Sequence, residues 1–297
     1  MTAITGVGLS TADMANTLPE LGAALDWFET LGIDSVELSL ANFEVVGGGR
    51  IWPDRLAELK RLCADRPFGY TVHGPISSSF ADQAHLQFQI DTCRACLEVG
   101  QAVGATVQVH HAALLPNDQG EREGLLALER ETLARLAPDF ADGGVILCVE
   151  TLFPHSAPWT ASPSELAAQL TAVDHPNMRA CIDFSHVCLN GAERGYDPVA
   201  EVQALAPLAR HLHIHDSFAR PKTFTPYSHA ESIMFGLGDL HLPPGRGTLP
   251  WDGFAALPFA GPMVANLELI SRHRDQIPAA IAWTRDWIAR TDAAATA

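Results

Sequence analysis

Apolar runs of strand length alternate along the chain with longer amphipathic stretches, and the cycle repeats about eight times. Ile4–Leu9 predicts a first strand, and Leu21, Ala24, Leu25 and Phe28 at helical spacing predict a helix from about Leu18 to Leu31. Ser35–Leu40 reads as the second strand. A Gly47-Gly48-Gly49 loop and a helix over Pro53–Cys63 follow, with Pro53 suited to a first helical turn. Phe68–Val72 and Thr106–Val109 are the third and fourth strands, with helices near Asp82–Val103 and Glu121–Leu136. Val145–Val149 is the fifth, and its helix opens at Ser162 in a Ser-Pro-Ser-Glu string and runs to Val173. Ala180–Ile182 is the sixth, with a helix expected from about Pro198, and Arg210–Ile214 is the seventh. Trp251–Leu257 then reads as a short helix, Met263–Leu267 as the eighth strand and Gln276–Ala289 as the closing helix.

Eight strand-then-helix units in 297 residues predict a single (β/α)8 barrel. An open doubly wound sheet fits less well, because no Gly-x-Gly-x-x-Gly string follows the first strand. No linker interrupts the pattern, so the chain reads as one domain over 1–297, with an Ala/Thr-rich tail at about 291–297 expected to fray. Two connections are long, 41–52 after the second strand and 217–249 after the seventh; loops of that kind tend to be lids or binding loops.

With 47% hydrophobic and 18% charged residues, the composition is that of a soluble globular protein. A formal net charge of −16 without any basic run disfavours a nucleic-acid partner. The opening Met1-Thr-Ala-Ile-Thr-Gly-Val-Gly lacks the basic and apolar regions of a signal peptide, and no apolar run is long enough to cross a bilayer. A cytoplasmic location with no membrane partner is the expectation. The cysteines at 63, 93, 96, 148, 181 and 188 are scattered, which reads as reduced, buried thiols rather than disulfides or a thiolate metal site.

What changes the picture is the residue that ends each apolar run: His73, His110, Glu150, Asp183, His213 and Glu268. Side chains alternate between the two faces of a strand. Counting back from Glu150 puts Cys148 and Ile146 on its face and the more apolar Val149, Leu147 and Val145 under the helices, so Glu150 should point into the barrel. The same parity turns His211, His213 and His215 inward. These groups would converge at the C-terminal mouth, where barrel enzymes keep their chemistry. Converging carboxylates need positive charge. Imidazole and carboxylate without thiolate suit Zn, Mn, Fe or Co. Asp183 and His186, three residues apart at one strand end, fit that pair of ligand types; the alternative is an Asp183 that only caps the following turn. His111 replaces His110 if the register slips by one, and His215 is a candidate outer partner. His85, His155, His175 and His273 read as surface residues.

The ordered set Val72-His73-Gly-Pro, Val-Glu150-Thr, Ile-Asp183-Phe-Ser-His186, His213-Ile-His-Asp216, Gly-Asp239-Leu-His241, Gly245-Arg-Gly247 and Leu-Glu268-Leu resembles the xylose-isomerase-like TIM-barrel superfamily. That group holds sugar isomerases and epimerases together with endonuclease-four type AP endonucleases. The epimerase branch implies a one-ion site matched by Glu150, Asp183, His213 and Glu268. The endonuclease branch implies a three-ion site, matched by those residues with His73, His110, His186, Asp239 and His241. The chain departs from the endonuclease branch at His110, which is followed by His-Ala, and in its longer seventh loop.

The resemblance implies a metal-dependent sugar or sugar-phosphate isomerase or epimerase, working by proton transfer through a metal-stabilised enediolate. Glu150 and Glu268 would be the paired base and acid, and His186 would orient a hydroxyl. Arg246, Arg220 and Lys222 are candidates for holding a phosphate or carboxylate. The alternative is a multinuclear phosphoesterase acting on a small substrate rather than DNA; a second is a non-catalytic sugar-binding barrel. A homo-oligomer is compatible with Trp52, Trp159 and the long seventh loop.

Overall fold

The computed structural model describes residues 3–295. Eight parallel strands close into a barrel: β1 (Ile4–Ser10), β2 (Ser35–Ser39), β3 (Gly69–His73), β4 (Ala105–His111), β5 (Ile146–Glu150), β6 (Met178–Asp183), β7 (Ala209–Ile214) and β8 (Met263–Leu267). Each pairs with its neighbours in sequence, and β8 returns to β1 with Gly8 opposite Asn266. Around them lie α1 (Leu18–Glu29), α2 (Pro53–Cys63), α3 (Leu86–Val103), α4 (Gln119–Gly143), α5 (Pro163–Val173), α6 (Phe184–Arg194), α7 (Pro198–Leu205), α8 (His229–Phe235), α9 (Trp251–Ala255) and α10 (Ile277–Ala295). This is the (β/α)8 barrel expected from the alternation. Among the described residues, no helix is long and apolar enough to cross a membrane.

The strand parity read from the sequence divides the interior into two layers. Val36, Leu38, Val72, Leu147, Val149, Ile182, Leu212 and Ile214 face outward, buried against helix residues such as Leu21, Phe28, Phe140 and Leu170. Each such side chain contributes on the order of 1.5–3 kcal/mol by leaving water. Inside the barrel, Val107, Val109, Cys148 and Cys181 with Ile146 make a small separate apolar cluster. The rest of the inner space is polar: Glu37, His211, His213 and Asn266 are all buried there. The six cysteines are free and buried.

The helix starts follow their caps. Ser162 and Glu165 form the reciprocal capping box of α5. Asp183 caps α6 by accepting from the His186 N–H at 2.8 Å. The sixth unit departs from expectation because this cap starts a helix at Phe184, ahead of the one at Pro198. Phe184 drives it by packing among Trp251, Phe254 and Trp287. The helix expected near Asp82 begins at Leu86, and α4 extends to Gly143. Residues 291–295 continue α10, with the Thr291 hydroxyl donating to Trp287 O at 3.1 Å; 296–297 lie outside the described residues. The connection 41–52 folds as a hairpin pairing Val46–Gly47 with Arg50–Ile51.

Asp216, at the end of β7, organises the long seventh connection. Its carboxylate accepts from Ser217 N (2.9 Å), Gly245 N (2.7 Å), Leu249 N (3.4 Å) and Trp251 Nε1 (3.2 Å). The chain can come this close only because position 247 is glycine; a Cβ there would lie 2.0 Å from Ser217 O.

Candidate metal centre

Glu150 ends β5 inside the barrel mouth, and four imidazoles surround it. Its Oε2 lies 3.2 Å from His73 Nε2 and 3.2 Å from His111 Nε2. Its Oε1 lies 3.0 Å from His213 Nδ1 and 3.4 Å from His186 Nδ1. His213 Nδ1 is also 3.5 Å from Glu268 Oε2 and 3.9 Å from Asp183 Oδ2. Glu150, Asp183, His213 and Glu268 therefore meet around one ring nitrogen. Toward the rim, Asp239 Oδ2 lies 3.2 Å from His186 Nε2 and 2.8 Å from His241 Nε2, and His215 Nε2 lies 2.8 Å from Asp183 Oδ2.

The electrostatics follow from this crowding. Burial pushes the Glu150 carboxyl up, but His213 and His111 outweigh it and hold the group well below the usual carboxylate range. Burial likewise opposes ionisation of Asp239, and His241, His215 and His186 overcome it. The imidazoles respond in the opposite sense. Against burial, the Glu150 hydrogen bond raises His73 to about 9, and Asp239 raises His241 to about 10. His241 is also held at φ 47°, a left-handed conformation that is costly for a residue with a Cβ and is retained where surrounding structure enforces it.

The hydrogen bonds select which ring nitrogen each histidine offers. His73 Nδ1–H donates to Gly74 O (2.8 Å), His186 Nδ1–H to Thr151 O (3.0 Å) and His241 Nδ1–H to Glu268 O (2.8 Å). In all three, Nε2 is left facing a carboxylate, the orientation that metal-binding imidazoles take. Triads of donor atoms lying within 4.8 Å of one another include His73/His111/Glu150, His73/His213/Glu268, Asp183/His186/His215 and His215/Asp239/His241. The Nδ1 atoms of His111 and His215 are buried without a hydrogen-bond partner, the nearest carboxylate to the latter being Asp239 Oδ1 at 3.7 Å. A set of nitrogen and carboxylate donors with orphaned ring nitrogens fits a divalent ion of the Zn, Mn, Fe or Co type.

The structure corrects several expectations from the sequence. His110 is not in the cluster. It pairs with Val149, so it faces outward and stacks on Phe80 at 3.9 Å, where burial lowers it to about 3. His111, opposite Glu150, takes its place. Arg246, Arg220 and Lys222 do not border the cavity. Arg246 is exposed because Asp216 draws in the backbone around it, Arg220 lies over Phe218, and Lys222 lies against Gly238. His273 is buried rather than superficial, and His155, though exposed, borders the cavity beside Phe153.

Glu37 was missed. It sits mid-strand in Ser-Val-Glu-Leu-Ser, fully buried, bonded to His211, His213 and Asn266. The signal was available: a Glu with the parity opposite to Val36 and Leu38 must point into the barrel.

The cavity over these side chains holds ≈ 320 Å³. Ile76, Leu152 and Phe153 form apolar walls, the metal-ligand types form the floor, and Ser10 and Ser39 supply hydroxyls. Among the described residues no lysine or arginine lines it.

A family model described as a xylose isomerase-like TIM barrel matches residues 25–289. Among solved structures, the chain is similar to a D-tagatose 3-epimerase-like protein, with TM-score 0.73 and 16% identity, over 97% of this chain and 98% of that one. It is similar to the IOLI protein with a bound zinc atom, with TM-score 0.69 and 14% identity, over 97% and 98%. A D-psicose 3-epimerase in the presence of D-fructose gives TM-score 0.67 and 14% identity, over 96% and 99%. At such identities the likeness is one of fold. No curated protein matches the sequence.

Proposed function

The chain belongs to the xylose isomerase-like TIM barrel family, and from that premise we propose that it is a divalent-metal-dependent sugar isomerase or epimerase. The observation carrying this reading is the convergence of Glu150, Asp183 and Glu268 on His213 Nδ1 at the floor of a ≈ 320 Å³ cavity. When bound there, a divalent ion would act as a Lewis acid toward the carbonyl and hydroxyl oxygens of a ketose. The sugar epimerases of the same fold support a sugar as substrate. A lining without lysine or arginine among the described residues, whose imidazoles are taken up by carboxylates, favours an uncharged sugar over a phosphorylated one.

Glu150 and Glu268 both border the cavity and serve as the proton-transfer pair, one removing the proton next to the carbonyl and the other returning one. Glu268 is the more accessible, its side chain 15% exposed against 1% for Glu150. It is therefore the group better able to exchange its proton between turnovers. His186 is fixed by its Nδ1–H to Thr151 O, and its Nε2, beside Asp239 at the cavity wall, is the nitrogen able to meet a substrate hydroxyl. Ile76, Leu152 and Phe153 exclude water around the reacting carbons.

The additional ligand groups around His73/His111 and around His186/Asp239/His241 favour a second reading, a multinuclear phosphoesterase acting on a small ester. Metal content and solvent-deuterium exchange separate the two. About one ion per chain, with deuterium entering a ketose carbon, is the expected result. Three ions per chain with turnover of a generic phosphodiester and no exchange would replace the first reading by the second.

A further inference from the structure

His213 stands apart from the other imidazoles of the floor in how its two nitrogens are used. His73, His186 and His241 each give Nδ1–H to a backbone carbonyl and turn Nε2 to a carboxylate. His213 does the reverse. Its Nδ1 faces Glu150, Glu268 and Asp183, where a divalent ion would sit, so a His213 that ligates must keep its proton on Nε2, and the acceptor there is Glu37 Oε2 at 3.2 Å. The other tautomer would put a proton on Nδ1 at the ion's position and leave no lone pair there.

Glu37 is held for this task from two further sides. Its Oε2 accepts from His211 Nε2 at 2.8 Å and its Oε1 from Asn266 Nδ2 at 3.1 Å. The groups come from the inner faces of β2, β7 and β8, one barrel layer below the proposed ion. Room for the Asn266 amide comes from β1, where a Cβ on Gly8 would lie 2.8 Å from Asn266 Oδ1. Glu37 is fully buried and is not among the residues bordering the cavity, so it acts through His213 rather than on substrate.

We propose that Glu37 is a positioning residue, a carboxylate anchored by His211 and Asn266 that fixes His213 as the Nε2–H tautomer and aims its Nδ1 lone pair at the metal position. The inference rests on His213 being a metal ligand. Carboxylates behind metal-bound histidines typically change metal affinity by ~10–100-fold when removed.

Zinc affinity is measured by chelator competition on wild type, Glu37→Ala, Glu37→Gln and His213→Ala, with the fold of each checked by circular dichroism. Glu37→Ala is expected to bind zinc ~10–100-fold more weakly. Glu37→Gln recovers part of that loss. Its amide oxygen still accepts from His213, and the Asn266 Oδ1, which has no partner, can turn to meet the new NH2. Nitrogen-15 NMR of zinc-loaded wild type supplies a test without any substitution: His213 should carry its proton on Nε2 and ligate through Nδ1. Unchanged affinity in a folded Glu37→Ala protein that still loses zinc on His213→Ala overturns the positioning role and leaves the metal site standing. So does a wild-type His213 ligating through Nε2. Unchanged affinity on His213→Ala overturns the ligand assignment itself.

Discussion

Without an ion, the floor of the cavity balances its carboxylates with protons on imidazole, and that balance fails as the pH rises. His73 is raised from 6.5 to about 9 by Glu150, a difference of about 2.5 pH units. At ~1.4 kcal/mol per pH unit this corresponds to ~3 kcal/mol of folding stability. Because the folded value lies above the unfolded one, the contribution is complete below pH 6.5 and is lost as the pH climbs through 9. His241, raised to about 10, acts in the same direction. Its side chain is 24% exposed and it shares Glu268 with His73, so its effect overlaps the first and is not added to it.

A loss of ~3 kcal/mol in a chain of this size lowers the melting temperature by roughly 6 °C. A bound divalent ion would replace the protons as counter-charge and remove the dependence. The assay is thermal melting of chelator-stripped and zinc-reloaded protein at pH 6.5, 8 and 9.5. The stripped protein should lose about 6 °C more than the reloaded one across that range. Parallel curves, or a reloaded protein that falls further, would refute the account of what holds these side chains together.

Exchange of His111 by Ala should reduce metal content or affinity, whereas His110→Ala should leave both unchanged and cost ~1–3 kcal/mol in urea unfolding through the lost stacking on Phe80. Glu150→Gln and Glu268→Gln should each slow solvent-deuterium incorporation into a ketose by ~10²–10⁴-fold, read by NMR. Burial raises Glu129 to about 7, against a hydrogen bond from Ala113 N–H. That penalty is absent below pH 4.5 and complete above 7, so Glu129→Gln should gain up to ~3 kcal/mol over wild type between pH 4.5 and 8; a pH-independent difference would contradict it. Asp216→Ala strands the N–H groups of Gly245, Leu249 and Trp251 and should cost at least ~3 kcal/mol, with residues 217–249 becoming the first segment cut by protease.

The sequence by itself determined the barrel and the inward set. Alternating apolar and polar positions are a local property, so the parity that turns Glu150 and His213 inward, and Leu212 outward, is written within a single strand. A strand-ending carboxylate or imidazole on the inner parity is drawn to the mouth wherever the barrel closes. Tertiary structure alone decided the rest, because it depends on register and distance between strands remote in sequence. Pairing of β4 with β5 opposed His111, not His110, to Glu150. Asp216 reached across the seventh connection to Gly245 and Trp251, and so left Arg246 in solvent. Glu37, 176 residues from His213, became its anchor only when eight strands closed a ring. Hydrogen bonds select by ångströms across space, and the pattern along one strand records only which way a side chain points.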